Sequence, residues 1–146
     1  MPRLFTVEEA ERLLPELEKA MKLVITVKAG YQEAESEFSA VTHRITMTGG
    51  SLVNRNKLIA LRSRRDATAQ RLKEAIEEVQ QFGCLVKDLD LGLVDFPTLF
   101  RGEEVYLCWK LGETGIQFWH GVQEGFRGRK LIDQDFLDNH CGDLPQ

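Results

Sequence analysis

The first half of the chain carries apolar or small residues at spacings that alternate between four and three positions. This series continues for more than four heptads, which is typical of a long helix that packs against a second helix. The capping sequence Thr6-Val7-Glu8-Glu9 predicts the start of the helix, and Pro15 predicts a kink or a fresh start. The positions in the series are Leu13, Leu17, Ala20, Val24, Val27, Tyr31, Ala34, Phe38, Val41 and Ile45.

A turn and a second helix are expected after this series. Gly49-Gly50 can take positive φ angles, and a helical stretch follows from about Ser51 to Phe82, with Gly83 as its C-terminal cap. We therefore predict that residues 6–82 form a long antiparallel, coiled-coil-like helical hairpin. The apolar side of the second helix is interrupted by two arginines, and its positions are Leu58, Arg62, Arg65, Ala69, Leu72, Ile76 and Val79.

The sequence after the second helix changes to short alternating segments. Glu104–Lys110 and Ile116–His120 alternate as strands do, and the glycine-containing segment between them predicts a β-hairpin. The segment Cys84–Pro97 mixes apolar residues and acids in short steps. The tail from Lys130 is acidic, and we expect it to end in a short helix.

These patterns predict an α+β fold in which residues 83–146 form a small antiparallel β-module with a short C-terminal helix. The chain has 146 residues, 42% of them hydrophobic and 29% charged, so residues 1–146 are expected to form a single globular domain. No stretch approaches the roughly 18 apolar residues of a membrane helix, and no signal peptide is evident at the N-terminus. A cytoplasmic location without membrane contact is therefore expected.

The charge pattern bears on nucleic-acid binding. Residues 51–73 carry seven basic residues and one acid, although the whole chain has a net charge of −4. Folding the hairpin at its glycine turn places Arg62 and Arg64 opposite Glu35 and Glu33. Internal ion pairing is therefore favoured over contact with nucleic acid, and tight, salt-sensitive duplex binding would reverse this interpretation.

Several short motifs together resemble a known family. They are Phe5-Thr6, Glu9-Ala10, Leu14-Pro15, Val86-Lys-Asp, Gly92-Leu-Val-Asp-Phe-Pro97, Val105-Tyr-Leu-Cys-Trp109, Gly112-Glu113, Trp119-His120 and Gly125-Phe-Arg-Gly-Arg129. The family that they resemble is an uncharacterised bacterial one, domain of unknown function 2203. The resemblance covers most of the chain and implies a bacterial, cytosolic protein, and it carries no activity or catalytic residue to these positions.

Coordinating side chains occur within otherwise apolar, aromatic segments of the β-module. We predict a site for a divalent transition metal such as zinc, with His120 and Glu113 as leading ligands and Asp95 or Cys108 completing the set. Imidazole and thiolate suit zinc, and carboxylate tolerates harder ions. The alternative for His120 is a structural, hydrogen-bonded histidine, and the alternative for Cys108 is a small core residue.

The length of the β-hairpin turn decides whether Cys108 and His120 could act together. With a two- or four-residue turn, His120 pairs near Leu107 and Cys108 points to the other face. An odd-length turn or a bulge places Tyr106, Cys108 and His120 on one surface. The sequence leaves both possibilities open.

Asp95 needs an explanation because it lies within an apolar segment. A buried, unpaired carboxylate would cost several kcal/mol, so Asp95 is expected to bind a metal, pair with Arg127 or Arg129, or face solvent. The two arginines belong to Gly125-Phe-Arg-Gly-Arg129, where we expect a turn that packs Phe126 into the core. The same segment could instead hold an anion.

The alternative function is a non-catalytic dimerisation or protein-interaction module that acts through the helical hairpin. A homodimer is expected because the hairpin tip would leave apolar residues such as Phe38 and Val41 poorly covered. The three cysteines form no C-x-x-C pair and are expected to be reduced. No marked motif of a hydrolase, nucleotide-binding protein or metalloprotease occurs, and the sequence does not decide whether the protein is an enzyme.

Overall fold

The computed structural model describes residues 3–49 and 55–143 of the chain. The helices are α1 (Val7–Thr48), α2 (Arg55–Gln80) and α3 (Gln134–Asn139), and a short 3-10 helix spans Phe126–Gly128. The strands are β1 (Leu85–Asp88), β2 (Leu93–Phe100), β3 (Glu103–Lys110), β4 (Phe118–Gly121), β5 (Lys130–Leu131) and β6 (His140–Cys141). The predicted α+β class is confirmed. None of the helices described is both long enough and apolar enough to cross a membrane.

The chain divides into two compact units. Unit 1 comprises Met1–Met21 and Glu78–Gln146, and unit 2 comprises Lys22–Glu77. Helix α1 contributes to both units and continues without interruption through Pro15, so the fresh start expected there does not occur. The turn residue Gly50 and the predicted helix start at Ser51 lie outside the described residues.

Unit 2 contains the larger part of the helical hairpin that was predicted for residues 6–82. The apolar series of α1 is confirmed at Val24, Val27, Ala34 and Val41, whose side chains are buried. The burial of Val41, which is 4% exposed, contradicts the expectation that it is poorly covered. Arg62 was predicted to lie on the apolar side of the second helix, and this prediction is also wrong. Arg62 is exposed, and the half-buried residue at that level of α2 is Leu61.

Ion pairs between the two helices of unit 2 involve some of the basic residues of segment 51–73. The predicted Arg64–Glu33 pair is confirmed at 3.9 Å, and Arg64 also contacts Glu37 at 2.9 Å. Glu35 pairs with Arg65 at 3.8 Å rather than with Arg62. These side chains are partly exposed, so solvent screening keeps the contribution of each pair to stability small.

Unit 1 is built on an antiparallel sheet with the strand order β1-β2-β3-β4-β5, and β6 pairs with β2. Strands β3 and β4 confirm the predicted β-hairpin. Strand β2 was not predicted, although it is buried from Leu93 to Thr98 and pairs with three other strands. Pro97 lies within β2, and its carbonyl oxygen accepts a hydrogen bond of 2.7 Å from the backbone N–H of Phe5.

One face of this sheet forms the apolar core of unit 1. Phe96 is fully buried and packs edge-to-face on Phe5, with a centroid distance of 5.2 Å. The predicted C-terminal helix is confirmed as α3, which places Phe136 against Phe100 at 4.7 Å and against Trp119 at 5.0 Å. Because side chains alternate along a strand, Asp95 projects from the opposite face.

The start of α1 confirms the predicted capping box. The Glu9 backbone N–H donates to the Thr6 hydroxyl at 3.1 Å, and the Thr6 N–H donates to the Glu9 carboxylate at 3.0 Å. At the end of α2, Gly83 has the positive φ angle expected of a C-terminal cap. These two signals mark the start of α1 and the turn that follows α2.

Candidate metal centre

The strand register brings three candidate ligands to the same face of the sheet. Cys108 on β3 lies opposite Asp95 on β2 and opposite Phe118 on β4, and His120 lies opposite Tyr106. Residues opposite each other in antiparallel strands project to one face, and alternation adds His120 to that face. The turn therefore has the parity expected of an odd-length turn or a bulge, which places Tyr106, Cys108 and His120 on one face.

The three side chains are buried, and their donor atoms lie close together. Asp95 is 1% exposed, Cys108 is 2% exposed and His120 is 3% exposed. One potential ligand atom from each residue lies within 4.8 Å of the other two. We call Asp95, Cys108 and His120 the ligand cluster. It supplies a carboxylate, a thiol and an imidazole, which is a donor set that suits zinc.

The imidazole of His120 is oriented by a hydrogen bond to the backbone. Its Nδ1 atom lies 2.8 Å from the carbonyl oxygen of Gly121. A carbonyl oxygen only accepts hydrogen bonds, so the proton belongs on Nδ1. Nε2 is then the ring nitrogen that faces the carboxylate of Asp95. Metal-binding histidines commonly have this arrangement, with one nitrogen donating to a carbonyl group and the other free to coordinate.

The carboxylate of Asp95 lies directly against this nitrogen. Its Oδ1 and Oδ2 atoms are 3.1 and 3.0 Å from Nε2 of His120, but only Oδ1 is aligned for a hydrogen bond. Oδ2 is consequently buried with no hydrogen-bond partner among the described residues. Since Nε2 and the carboxylate both carry lone pairs, a proton or a metal ion must lie between them. The expectations that Asp95 pairs with an arginine or faces solvent are wrong.

The thiol of Cys108 is the third member of the ligand cluster. Burial, together with the nearby charge of Asp95, raises the pKa of this thiol to about 12. The thiol is therefore protonated at neutral pH without a metal, and a bound cation would have to displace its proton. His120 is not placed to take that proton, because one ring nitrogen bonds the Gly121 carbonyl and the other faces Asp95. The geometry does not resemble a Cys–His nucleophile.

Glu113 lies outside the ligand cluster. Its Oε1 atom accepts hydrogen bonds of 2.6 Å from the Lys110 backbone N–H and 2.6 Å from the Arg129 guanidinium. Arg129 also lies over the rings of Phe118 at 4.0 Å and Phe126 at 4.7 Å. Phe126 is 39% exposed, so it does not pack into the core as expected. Arg129 thus holds Glu113 rather than Asp95.

The acids near the start of the sheet have a different role from that of Asp95. Asp88 accepts a hydrogen bond of 3.0 Å from the backbone N–H of Leu91, which stabilises the turn between β1 and β2. Asp90 is exposed on the same turn. Neither residue belongs to the ligand cluster.

A small cavity of about 140 Å³ adjoins the ligand cluster. Glu124 at its edge accepts hydrogen bonds from the Gly121 N–H at 2.8 Å and from Lys130 at 3.0 Å, and both lower the pKa of its carboxyl group. Lys87 was quoted from the sequence only within the family motif Val86-Lys-Asp and was not among the predicted site residues. Besides the ligand cluster, the lining residues are Lys87, Leu93, Val122, Glu124, Gly125 and Phe126.

Comparisons with known proteins give one family match and leave the chemistry open. No curated protein and no solved structure matches the chain. A family model described as "Uncharacterized conserved protein (DUF2203)" matches residues 3–132, which include all three members of the ligand cluster. The chain therefore belongs to the DUF2203 family of uncharacterised conserved proteins.

Proposed function

We propose that the protein binds a divalent transition metal, with zinc as the preferred ion, through Asp95, Cys108 and His120. The observation that carries this proposal is the position of the His120 ring, whose Nε2 lies 3.0 Å from the Asp95 carboxylate while its Nδ1 lies 2.8 Å from the Gly121 carbonyl oxygen. Glu113 is not part of the proposed ligand set, since its carboxylate is held by Arg129.

A proton between His120 and Asp95 would make a buried ion pair, which is the structural alternative. Two observations favour a metal ion over that proton. The thiol of Cys108 belongs to the same cluster, so a third donor is available, and Asp95 Oδ2 is buried without a hydrogen-bond partner among the described residues. The Cys108 thiol already interacts with the Asp95 carboxylate, and a metal ion could bind the sulfur and this second oxygen together.

The distances and charges of the cluster are compatible with zinc. Bond lengths of about 2.0–2.3 Å in a tetrahedral site place donor atoms roughly 3.3–3.6 Å apart. The donor atoms here are at most 4.8 Å apart, and the imidazole and carboxylate approach to 3.0 Å, so modest side-chain rotations would suffice. A thiolate and a carboxylate would also neutralise the divalent charge, which lowers the cost of burying the ion.

Metal content provides the direct test. Protein purified without added metal, or loaded with zinc and then desalted, is expected to contain about one ion per chain by elemental analysis. His120→Ala is expected to lose most of that metal, because one of three ligands is removed. His43→Ala is the matched control, since His43 is exposed on α1 and lies outside the ligand cluster. Equal metal content in the two variants, or none in the wild type, would rule out the proposed site.

We also propose that unit 2 mediates homodimer formation as a second, separate function. The support is the exposure of large apolar side chains on its helices, with Leu23 at 45%, Ile25 at 37% and Ile59 at 54%. Association would remove these surfaces from water. Sedimentation is expected to give a dimer that dissociates on dilution, and Ile59→Lys is expected to shift it toward monomer. A monomer at every concentration would contradict this proposal.

A further inference from the structure

The ligand cluster supplies three donors, whereas zinc in proteins usually has four ligands. Glu113 and Asp88 are engaged elsewhere, by Arg129 and by the backbone N–H of Leu91. A site with three protein ligands keeps a position for a water molecule or another exchangeable ligand, as catalytic zinc sites do. The cavity beside the cluster is where such a ligand would have to lie.

The cavity is suited to a small ligand. Its volume of about 140 Å³ has room for a few non-hydrogen atoms, and the unpartnered Oδ2 of Asp95 belongs to one of the residues that line it. The apolar side chains of Leu93, Val122 and Phe126 line other parts of the cavity. A small ligand would therefore meet the metal at one end and apolar groups elsewhere.

The charges around the cavity favour an anion. Glu124 carries a negative charge, but Lys130 pairs with it at 3.0 Å and the Gly121 N–H donates to it. Lys87 also lines the cavity, and its ammonium group lies 4.9 Å from the centroid of the Tyr106 ring. Among the residues that the structure describes, no carboxylate forms an ion pair with Lys87. With a metal neutralised by Asp95 and Cys108, and with Arg129 paired to Glu113, Lys87 is the positive charge in the cavity lining that remains for a ligand.

We infer that the metal bound by Asp95, Cys108 and His120 keeps an exchangeable fourth ligand in this cavity, and that Lys87 favours a small monoanion there. The inference rests on the metal site proposed above. On binding, the anion replaces a water molecule on the ion, and the water leaves to solvent. The chemical class is a monoanion of a few atoms with a nitrogen, oxygen or sulfur donor, for which azide and thiocyanate are suitable probes.

Cobalt substitution provides the test, because Co²⁺ accepts the same ligands as zinc and absorbs visible light. Addition of Co²⁺ to the metal-free protein is expected to produce visible bands together with a thiolate-to-cobalt charge-transfer band. Titration of this complex with sodium azide is expected to shift the visible bands and to saturate. Lys87→Met is expected to weaken azide binding by up to about five-fold, since an exposed charge pair contributes at most about 1 kcal/mol.

Lys73→Met is the matched control, because it makes the same change of charge on α2 in unit 2. Its azide affinity is expected to equal that of the wild type at constant ionic strength. Cobalt bands that azide leaves unchanged would overturn the exchangeable position while leaving the metal site intact. Equal azide affinity in Lys87→Met and wild type would overturn the role of Lys87. Failure to form the cobalt complex would overturn the proposed metal site itself.

Discussion

Zinc at about one hundred times its dissociation constant is expected to raise the free energy of unfolding of the wild-type protein by about 2.7 kcal/mol. The reason is that Asp95, Cys108 and His120 come from three different strands and converge only in the folded chain. A metal that binds this cluster and not the unfolded chain stabilises the fold by mass action. Urea denaturation with zinc, and again with a chelator, measures the difference.

Cys108→Ser is expected to lose most of this stabilisation, because a serine hydroxyl is a far weaker zinc ligand than a thiolate. Cys141→Ser is the matched control: Cys141 is exposed, lies outside the ligand cluster and should retain the full effect. For each variant, the free energy of unfolding is measured with and without zinc, and the difference between the two values is reported. A change in the stability of the metal-free variant therefore does not affect this difference. The same zinc effect in both variants would contradict coordination by Cys108.

The pH dependence of zinc binding has a defined direction. Burial raises the pKa of the Cys108 thiol to about 12, so the metal-free protein carries a proton there that zinc must displace. Zinc affinity is therefore expected to fall as the pH is lowered. A calorimetric titration in buffers of different ionisation enthalpy would detect the released proton.

Phe136→Ala is expected to destabilise the protein by about 3–5 kcal/mol, the usual cost of removing a buried aromatic side chain. Phe136 is 1% exposed and contacts Phe100, Trp119 and His140, with centroid distances of 4.7–5.2 Å. The short helix α3 would lose its only buried side chain among the residues described. Chemical denaturation followed by circular dichroism gives the free energy of unfolding.

Leu137→Ala tests whether the loss of stability in Phe136→Ala comes from the burial of Phe136 or would follow from any substitution in α3. Leu137 is the next residue of the same helix, and it is 41% exposed. Replacing Leu137 is expected to lower the free energy of unfolding by less than about 1 kcal/mol, as is usual for surface positions. Similar losses in the two variants would show that Phe136 does not hold α3 on the sheet.

Much of the helical architecture could be predicted from the sequence. The alternating spacing of four and three follows directly from helix geometry, and it located the buried positions Val24, Val27 and Val41. The assignment failed at Arg62, because an interrupted series fits two neighbouring helix faces equally well and Leu61 was the better choice. Strand β2 was missed because Asp95 and Pro97 interrupt its apolar run, although tertiary contacts accommodate both residues.

The candidate site was predictable in composition but not in geometry. Asp95, Cys108 and His120 were recognisable because coordinating side chains are unusual in apolar strands. Whether they share a face depends on one residue in the length of a turn, which the alternation of hydrophobic residues did not determine. The partner of Arg129 was also beyond the sequence, since Glu113 and Asp95 both lie in the β-module and only the fold distinguishes them.

The division of α1 between the two units has a consequence for changes in chain length. Unit 1 is assembled from two separate segments, Met1–Met21 and Glu78–Gln146, and the whole of unit 2 lies between them in sequence. Removing or adding seven residues in each arm of the hairpin would preserve the helical periodicity on both sides. Changes in chain length are therefore expected to be best tolerated in the hairpin arms, where they leave Asp95, Cys108, His120 and their strands untouched.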